Sequence, residues 1–427
     1  MKELYREVGL TAAAALVVGN IIGTGIFTTT GLIAADLGAS PWLLGIWLAG
    51  GALALAGAYC YARLGTLHPR AGGEYAFLRP AFGALPAFLS GWTSLFIGFT
   101  APLAACALGL AHYLLPLFTS SEAPSWFVRL GAAACLWLVG ALLSAGLRTG
   151  NRLQSWFSWV NVLVIAAFVA AVLARGGDGS LAAALAGPLL PEPLGALGSS
   201  FILVMFTYSG WNAAAYLAEE IPRPEYNLPR ALLLGTGVVT VLYLAMNCAY
   251  LAAAPLELLA GEIAVARLAA DRALGEGAAV LVNLIIVVSL LSSLSAMSIA
   301  GPRVYFAMAR DGLFPRWLAD VDPARKVPLR AIWFQIAVAT VFTQVGTLYQ
   351  ILLYSGFVLL FFSTLTVATL FRVPGGRLLP FLFVVANTAI LIAAAWQHPR
   401  EAGVGVLTVL AGLPVYGYFR RNARRHS

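Results

Sequence analysis

Long apolar stretches alternate with short polar ones along the whole chain. They fall near 10–34, 41–66, 84–117, 126–147, 151–175, 196–219, 229–254, 277–309, 331–346, 347–371, 377–397 and 402–420. Stretches of this length read as membrane-crossing helices. Turn chemistry marks the breaks: "LHPRAGGEY" from Leu67, "SSEAPS" from Ser120, "EEIPRPEYNLP" from Glu219 and "RVPGGR" from Arg372. The strict alternation of a membrane barrel is absent. The pattern predicts an all-α polytopic membrane protein with 12 transmembrane helices, numbered here as spans 1 to 12 in the order given.

Two spans are interrupted near mid-depth. Span 1 contains "GNIIGTGIF", Gly19 to Phe27, whose three glycines, threonine and asparagine make a poor helix interior. Span 6 contains "FTYSGWN", Phe206 to Asn212. Unwound backbone is tolerated in a bilayer only where it lines a protein cavity. Amides at the start of a half-helix attract a carboxylate, and free carbonyls attract an ammonium group. Two facing breaks can therefore hold a zwitterion without a charged side chain. The spacing from Gly19 to Gly23 also suits helix–helix packing. The second break, five spans later, favours a binding site, because transporters built from inverted repeats place broken helices at corresponding positions.

Composition narrows the class. Hydrophobic residues make up 60% of the 427 and charged residues only 10%, against about 25% charged in a soluble domain. The net charge of +8 is no nucleic-acid signal, because the basic residues lie between apolar stretches. With a cytoplasmic N-terminus, all of the 26 basic residues except Arg129, Arg175, Arg267, Arg272 and Arg400 fall on the inner side. The positive-inside rule then puts both termini in the cytoplasm. No cleavable signal peptide is expected. The cysteines Cys60, Cys106, Cys135 and Cys248 lie in apolar runs and imply neither disulfide nor metal site. No H-E-x-x-H, G-x-S-x-G or filter-like sequence points to an intramembrane enzyme or channel.

The two interrupted motifs resemble those of the amino acid–polyamine–organocation superfamily, in its L-amino acid transporter branch. "PRAGGEYAFL" from Pro69, "EEIPRPEYNLPRA" after span 6, "GPRVYFAMARDGLFP" from Gly301 and "GLPVYGYFRR" near the end are similar to further elements of that branch, in order. The resemblance implies a 5+5 inverted repeat (LeuT-type fold). Residues 1–175 (spans 1–5) would form the first repeat, 196–371 (spans 6–10) the second, and 377–427 two trailing helices with a basic tail.

It also implies roles. Thr24 and Gly25 would bind the substrate carboxylate, with Gly23 giving the backbone room. The carbonyls of Ile21, Phe206 and Ser209 would take the amine, Phe206 would gate the site, and Asn212 would orient the substrate. Many members carry a lysine in span 5 linked to gating or proton coupling, and Asn161 stands at that position. An amide neither titrates near neutral pH nor mimics a cation. An uncoupled exchanger, or a sodium site near Asn161, Ser292 and Ser293, is the expectation that follows. Tyr250 in span 7 is a further gating candidate, although interhelical bonding by Asn247 and Tyr250 is the simpler reading. Glu219 and Glu220 are expected to pair with loop arginines at an inner gate, and Glu74 and Tyr75 to lie in the inner loop after span 2.

With no acidic side chain expected at mid-depth, neutral L-amino acids are the expected substrates. Ser209, where many members have glycine, points to small or medium ones such as Ala, Ser, Thr or Val. Mammalian relatives of the branch join a glycoprotein heavy chain through a cysteine after span 3. The loop "FTSSEAPS" here has none, so no covalent heavy-chain partner is expected, as fits a stand-alone prokaryotic protein. The expected function is alternating-access transport across the plasma membrane, as an exchanger or permease. No enzyme activity, cofactor or nucleic-acid partner is expected, and the substrate and the bilayer are the partners. A sodium- or proton-coupled symporter, or a transporter-fold sensor that binds without carrying, remain as alternatives.

Overall fold

The computed structural model describes residues 4–115, 124–188, 195–275, 277–345, 348–397 and 399–425. Every described regular element is helical, and each of the twelve expected spans coincides with helix. Span 1 is split into α1 (Leu10–Ile21) and α2 (Gly25–Leu37), bent by 42° at the break. Span 2 is α3 (Trp42–Leu67), which stops before His68 and Pro69. The short α4 (Glu74–Phe82) follows. Span 3 runs from α5 (Ala84–Thr93) through a π-helical stretch, Ser94–Thr100, into α6 (Ala101–Leu114). Spans 4 and 5 are α7 (Ser125–Ser144) and α8 (Leu147–Arg175), and a single turn, α9 (Leu181–Ala184), follows them.

Span 6 is also broken, but its halves differ. α10 (Gly195–Thr207) is α-helical, whereas Ala213–Glu220 beyond the break is a 3₁₀ helix. Span 7 is α11 (Pro224–Ala253). The connection to span 8 holds two helices that hydropathy did not suggest, α12 (Leu256–Leu259) and α13 (Val265–Leu274). The last spans are α14 (Ala278–Arg310), α15 (Leu329–Val345), α16 (Leu348–Ala368), α17 (Leu378–Gln397) and α18 (Pro399–Arg425).

Burial separates central from peripheral helices. In the most apolar window of span 3, 72% of residues are buried inside the protein, against 18% and 17% in spans 11 and 12. The last two spans are therefore largely outward-facing, with apolar side chains such as Ile392 and Trp396 left for lipid. Their hydropathy comes from the bilayer rather than from a protein core. The first half of span 1 is in the opposite position. Ala13 to Gly19 is buried throughout, and α1 packs on α8, α11 and α14. The small residues of α1 allow that approach. A side chain at Gly19 would run into Gln154, Ser158 and Ser292.

Ion pairs tie the inner ends together. Glu220 accepts two hydrogen bonds from Arg303, at 2.8 and 2.9 Å, with both side chains essentially buried. Glu219 does the same with Arg310, at 2.7 and 2.9 Å. Both arginines lie within α14 rather than in a loop, which corrects the expected loop pairing. Asp311 accepts from Tyr75 at 2.9 Å and pairs with Arg70 and Arg79.

Candidate functional site

The two breaks meet. Gly210 has φ +102°, a conformation that side chains other than hydrogen rarely adopt. A Cβ there would lie 2.7 Å from both the backbone and side-chain oxygens of Asn20. A Cβ on Gly25 would lie 2.7 Å from the Thr207 hydroxyl. Glycine lets the Gly210 backbone approach that of Asn20, and the Gly25 backbone approach the Thr207 side chain. Gly23 differs, because its Cβ position has only Ser293 Oγ nearby, at 3.9 Å. The packing reading thus holds for Gly19, while Gly23 faces open space.

That space is a cavity of about 130 Å³ between spans 1, 3, 6, 8 and 10. Among the residues expected at a site, Ile21, Gly23, Thr24, Gly25, Phe206, Ser209, Asn212 and Ser293 all line it. The amides of Gly23 and Thr24 make no backbone hydrogen bond among the described residues. The amide of Gly25 opens α2, where no intrahelical acceptor exists. Beside them, the Asn20 side-chain Nδ2 is buried and unpartnered. This cluster of donors suits a carboxylate.

The carbonyl side is more occupied than expected. The Tyr243 hydroxyl lies 3.0 Å from the Ile21 carbonyl and 3.3 Å from that of Thr207, clamping the ends of α1 and α10 together. The Phe206 carbonyl accepts from the Ser209 amide at 2.9 Å. A carbonyl oxygen has two lone pairs, so Ile21 and Phe206 each keep one for an ammonium group.

The coupling candidates are dispersed. Asn161 is fully buried and accepts from Ser289 at 2.7 Å. Ser292 shares a 3.0 Å hydrogen bond with Ser158. Ser293 alone of the three faces the cavity and lies 3.8 Å from Cys106. Tyr250 does not line the cavity and donates to the Ile26 carbonyl at 3.3 Å, while Thr30 donates to Asn247 at 2.7 Å. These are the interhelical bonds expected of span 7.

One residue is placed where the sequence did not put it. Glu74, expected in the inner loop with no acid at mid-depth, lines the cavity and is 6% exposed. The cause is the turn before it. Gly72 and Gly73 have φ of +115° and +55°, and the Gly72 amide bonds the Tyr216 carbonyl. The turn brings the start of α4 beside the 3₁₀ half of span 6. Glu74 Oε1 then accepts from Asn212 Nδ2 at 2.6 Å and from the Tyr61 hydroxyl at 2.9 Å. Burial pushes its carboxyl above the ordinary range, against the hydrogen bonds of Tyr216, Tyr61 and Asn212. The legible signal was an acid directly after two glycines.

The amino acid permease family profile matches residues 8–396. The rat large neutral amino acids transporter small subunit 2 is 31% identical, over 97% of this chain and 80% of the relative. The mouse Asc-type amino acid transporter 1 is 29% identical, over 98% and 82%. The mouse b(0,+)-type amino acid transporter 1 is 30% identical, over 98% and 88%.

Proposed function

Because the chain belongs to the amino acid permease family, in the L-amino acid transporter branch of the amino acid–polyamine–organocation superfamily, we propose that it carries small or medium neutral L-amino acids by alternating access. Amino acid transport across a membrane is the activity of this family. The observation that carries the finer reading is the contact of the two breaks at Gly210 and Asn20, which gathers free donors and acceptors at one cavity.

The substrate carboxylate takes the amides of Gly23, Thr24 and Gly25. Its ammonium group takes the spare lone pairs of Ile21 and Phe206. Phe206 closes over it, and Asn212 anchors its inner side. Since the zwitterion needs contacts from both half-helices, it binds best when they approach, which drives closure. Neutral substrates remain favoured although a carboxyl lines the cavity. Glu74 Oε1 is already engaged by two donors and Oε2 is buried, so neither is offered to a cationic side chain. The Ser209 side chain narrows the cavity further.

The protein sits in the plasma membrane with both termini inside, as the basic residues direct. It works without a disulfide-linked partner, because its four cysteines all lie within the spans. The loop after span 3 lies mostly outside the described residues. The test is counterflow of labelled L-alanine in liposomes, competed by each of the twenty amino acids. Alanine, serine, threonine and valine should compete; dominance by arginine or tryptophan sinks the substrate assignment. Binding without counterflow identifies a sensor instead.

A further inference from the structure

We propose that a second cavity, where α4 and its preceding turn meet the end of α14, binds a phosphate group, supplied by an anionic lipid headgroup or by soluble phosphate. No residue lines both this cavity and the substrate cavity, so the site does not depend on which amino acid is carried.

The cavity measures about 220 Å³, against about 130 Å³ for the substrate cavity. Arg70, Arg79, Arg310 and His68 line it, and Asp311 is the one acid among its lining residues. Glu219 balances Arg310, accepting two hydrogen bonds from it. The same carboxylate also accepts from the amides of Leu4 and Ala71, so both its oxygens are occupied. Arg70 and Arg79 are left to share the Asp311 carboxylate. Two guanidinium groups against one carboxylate leave one positive charge in excess.

The donors outnumber the acceptors in the same way. Asp311 Oδ1 accepts from Arg70 at 3.3 Å, and Oδ2 accepts from the Tyr75 hydroxyl at 2.9 Å and from Arg79. Each guanidinium carries five N–H donors. Those of Arg70 and Arg79 beyond the bonds to Asp311 and Tyr75 meet no protein acceptor among the described residues. The Arg70 side chain is 53% exposed and that of Arg79 34%, so both are within reach of an incoming anion. An ion-pair latch between two elements needs matched charge and no space. This one has surplus charge and room for a counter-ion.

Phosphate fits that surplus better than a halide. Guanidinium forks match pairs of phosphate oxygens, and two forks engage one phosphate from different sides. A phosphodiester carries a single negative charge, equal to the excess. On the orientation proposed above, the cavity faces the cytoplasm, where the leaflet carries anionic headgroups.

The test is isothermal titration of inorganic phosphate into the full-length protein, purified in detergent and stripped of lipid, at low ionic strength. Native mass spectrometry counts bound phosphatidylglycerol in parallel, and thermal melts check folding. Arg70→Gln removes an exposed ion pair of little worth to the fold and should weaken binding about tenfold, or about 1.4 kcal/mol. Arg79→Gln should do the same. Asp311→Asn should act in the opposite direction, tightening binding about tenfold, because both arginines then face the anion unopposed. Arg152→Gln removes the same charge from an exposed position on α8 outside the cavity and should bind as the wild type does. Displacement of phosphate by phosphatidylglycerol but not by phosphatidylcholine assigns the site to a lipid headgroup. Phosphate binding that phosphatidylglycerol does not displace assigns it to a soluble anion. Binding of neither probe overturns the proposal. So does equal weakening by Arg70→Gln and Arg152→Gln, a comparison that stands even if Asp311→Asn fails to fold. A folded Asp311→Asn that binds more weakly than the wild type overturns it as well.

Discussion

Replacing Gly210 by alanine tests the site at the point where its two halves touch. The residue sits at φ +102°, and holding a side-chain-bearing residue in such a region costs about 1–3 kcal/mol. The added Cβ would lie 2.7 Å from two oxygens of Asn20, well inside normal carbon–oxygen contact. One of those oxygens is backbone in the last turn of α1, so rotating a side chain cannot relieve the clash. The strain is relieved by drawing the breaks apart, and substrate binding must then bring them back together. A penalty of about 2–3 kcal/mol on binding corresponds to a roughly 30- to 150-fold loss of affinity. The assay is equilibrium binding of labelled alanine to purified protein, with a thermal melt to check folding. Gly237→Ala is the control, since nothing lies within 4 Å of its Cβ position. In mid-helix that change should stabilise by about 0.5–1 kcal/mol without altering affinity. Gly210→Ala binding alanine as the wild type does would refute the contact as the centre of the site.

Two further perturbations probe the inner face. Arg303→Met leaves Glu220 buried and unpaired, at a cost of about 3–5 kcal/mol, whereas Arg303→Met with Glu220→Leu should recover most of it. Melts of both variants in detergent decide the matter, and a double variant no more stable than the single one defeats the argument. Glu7 pairs with Lys326 and Arg148, and the hydrogen bond from Lys326 holds its carboxyl below the ordinary value of 4.5. A depressed carboxylate stabilises above its unfolded value and loses that contribution as pH falls through its folded one. The stability difference between wild type and Glu7→Gln should therefore be full at neutral pH and close below about pH 4.5; a gap that widens on acidification contradicts the pairing.

The spans were legible because burial in lipid is written one residue at a time, and the breaks because glycine and threonine stand out in apolar helix. The Gly19–Gly23 ambiguity needed three dimensions, since both glycines look alike until one meets Gln154 and Ser158 and the other meets open space. Glu74 was misplaced because depth does not follow position along the chain. The Gly72–Gly73 turn reverses direction and carries an apparent loop residue up to the cavity. The Tyr243 clamp was hidden for a related reason. It bonds backbone carbonyls of Ile21 and Thr207, and backbone partners leave no mark on residue type. α13 escaped because a helix lying outside the spans has no need of continuous hydropathy.

The Glu220–Arg303 pair also constrains the order in which the chain is built. The partners are 83 residues apart, a separation that takes roughly 4–17 s to synthesise at about 5–20 residues per second. Throughout that interval the end of span 6 carries a carboxylate whose counter-charge does not yet exist. That end is also 3₁₀ rather than α-helical, the more tightly wound pattern and the one with the poorer hydrogen-bond geometry. The ion pair that anchors the inner end of span 6 therefore forms only after span 8 is delivered.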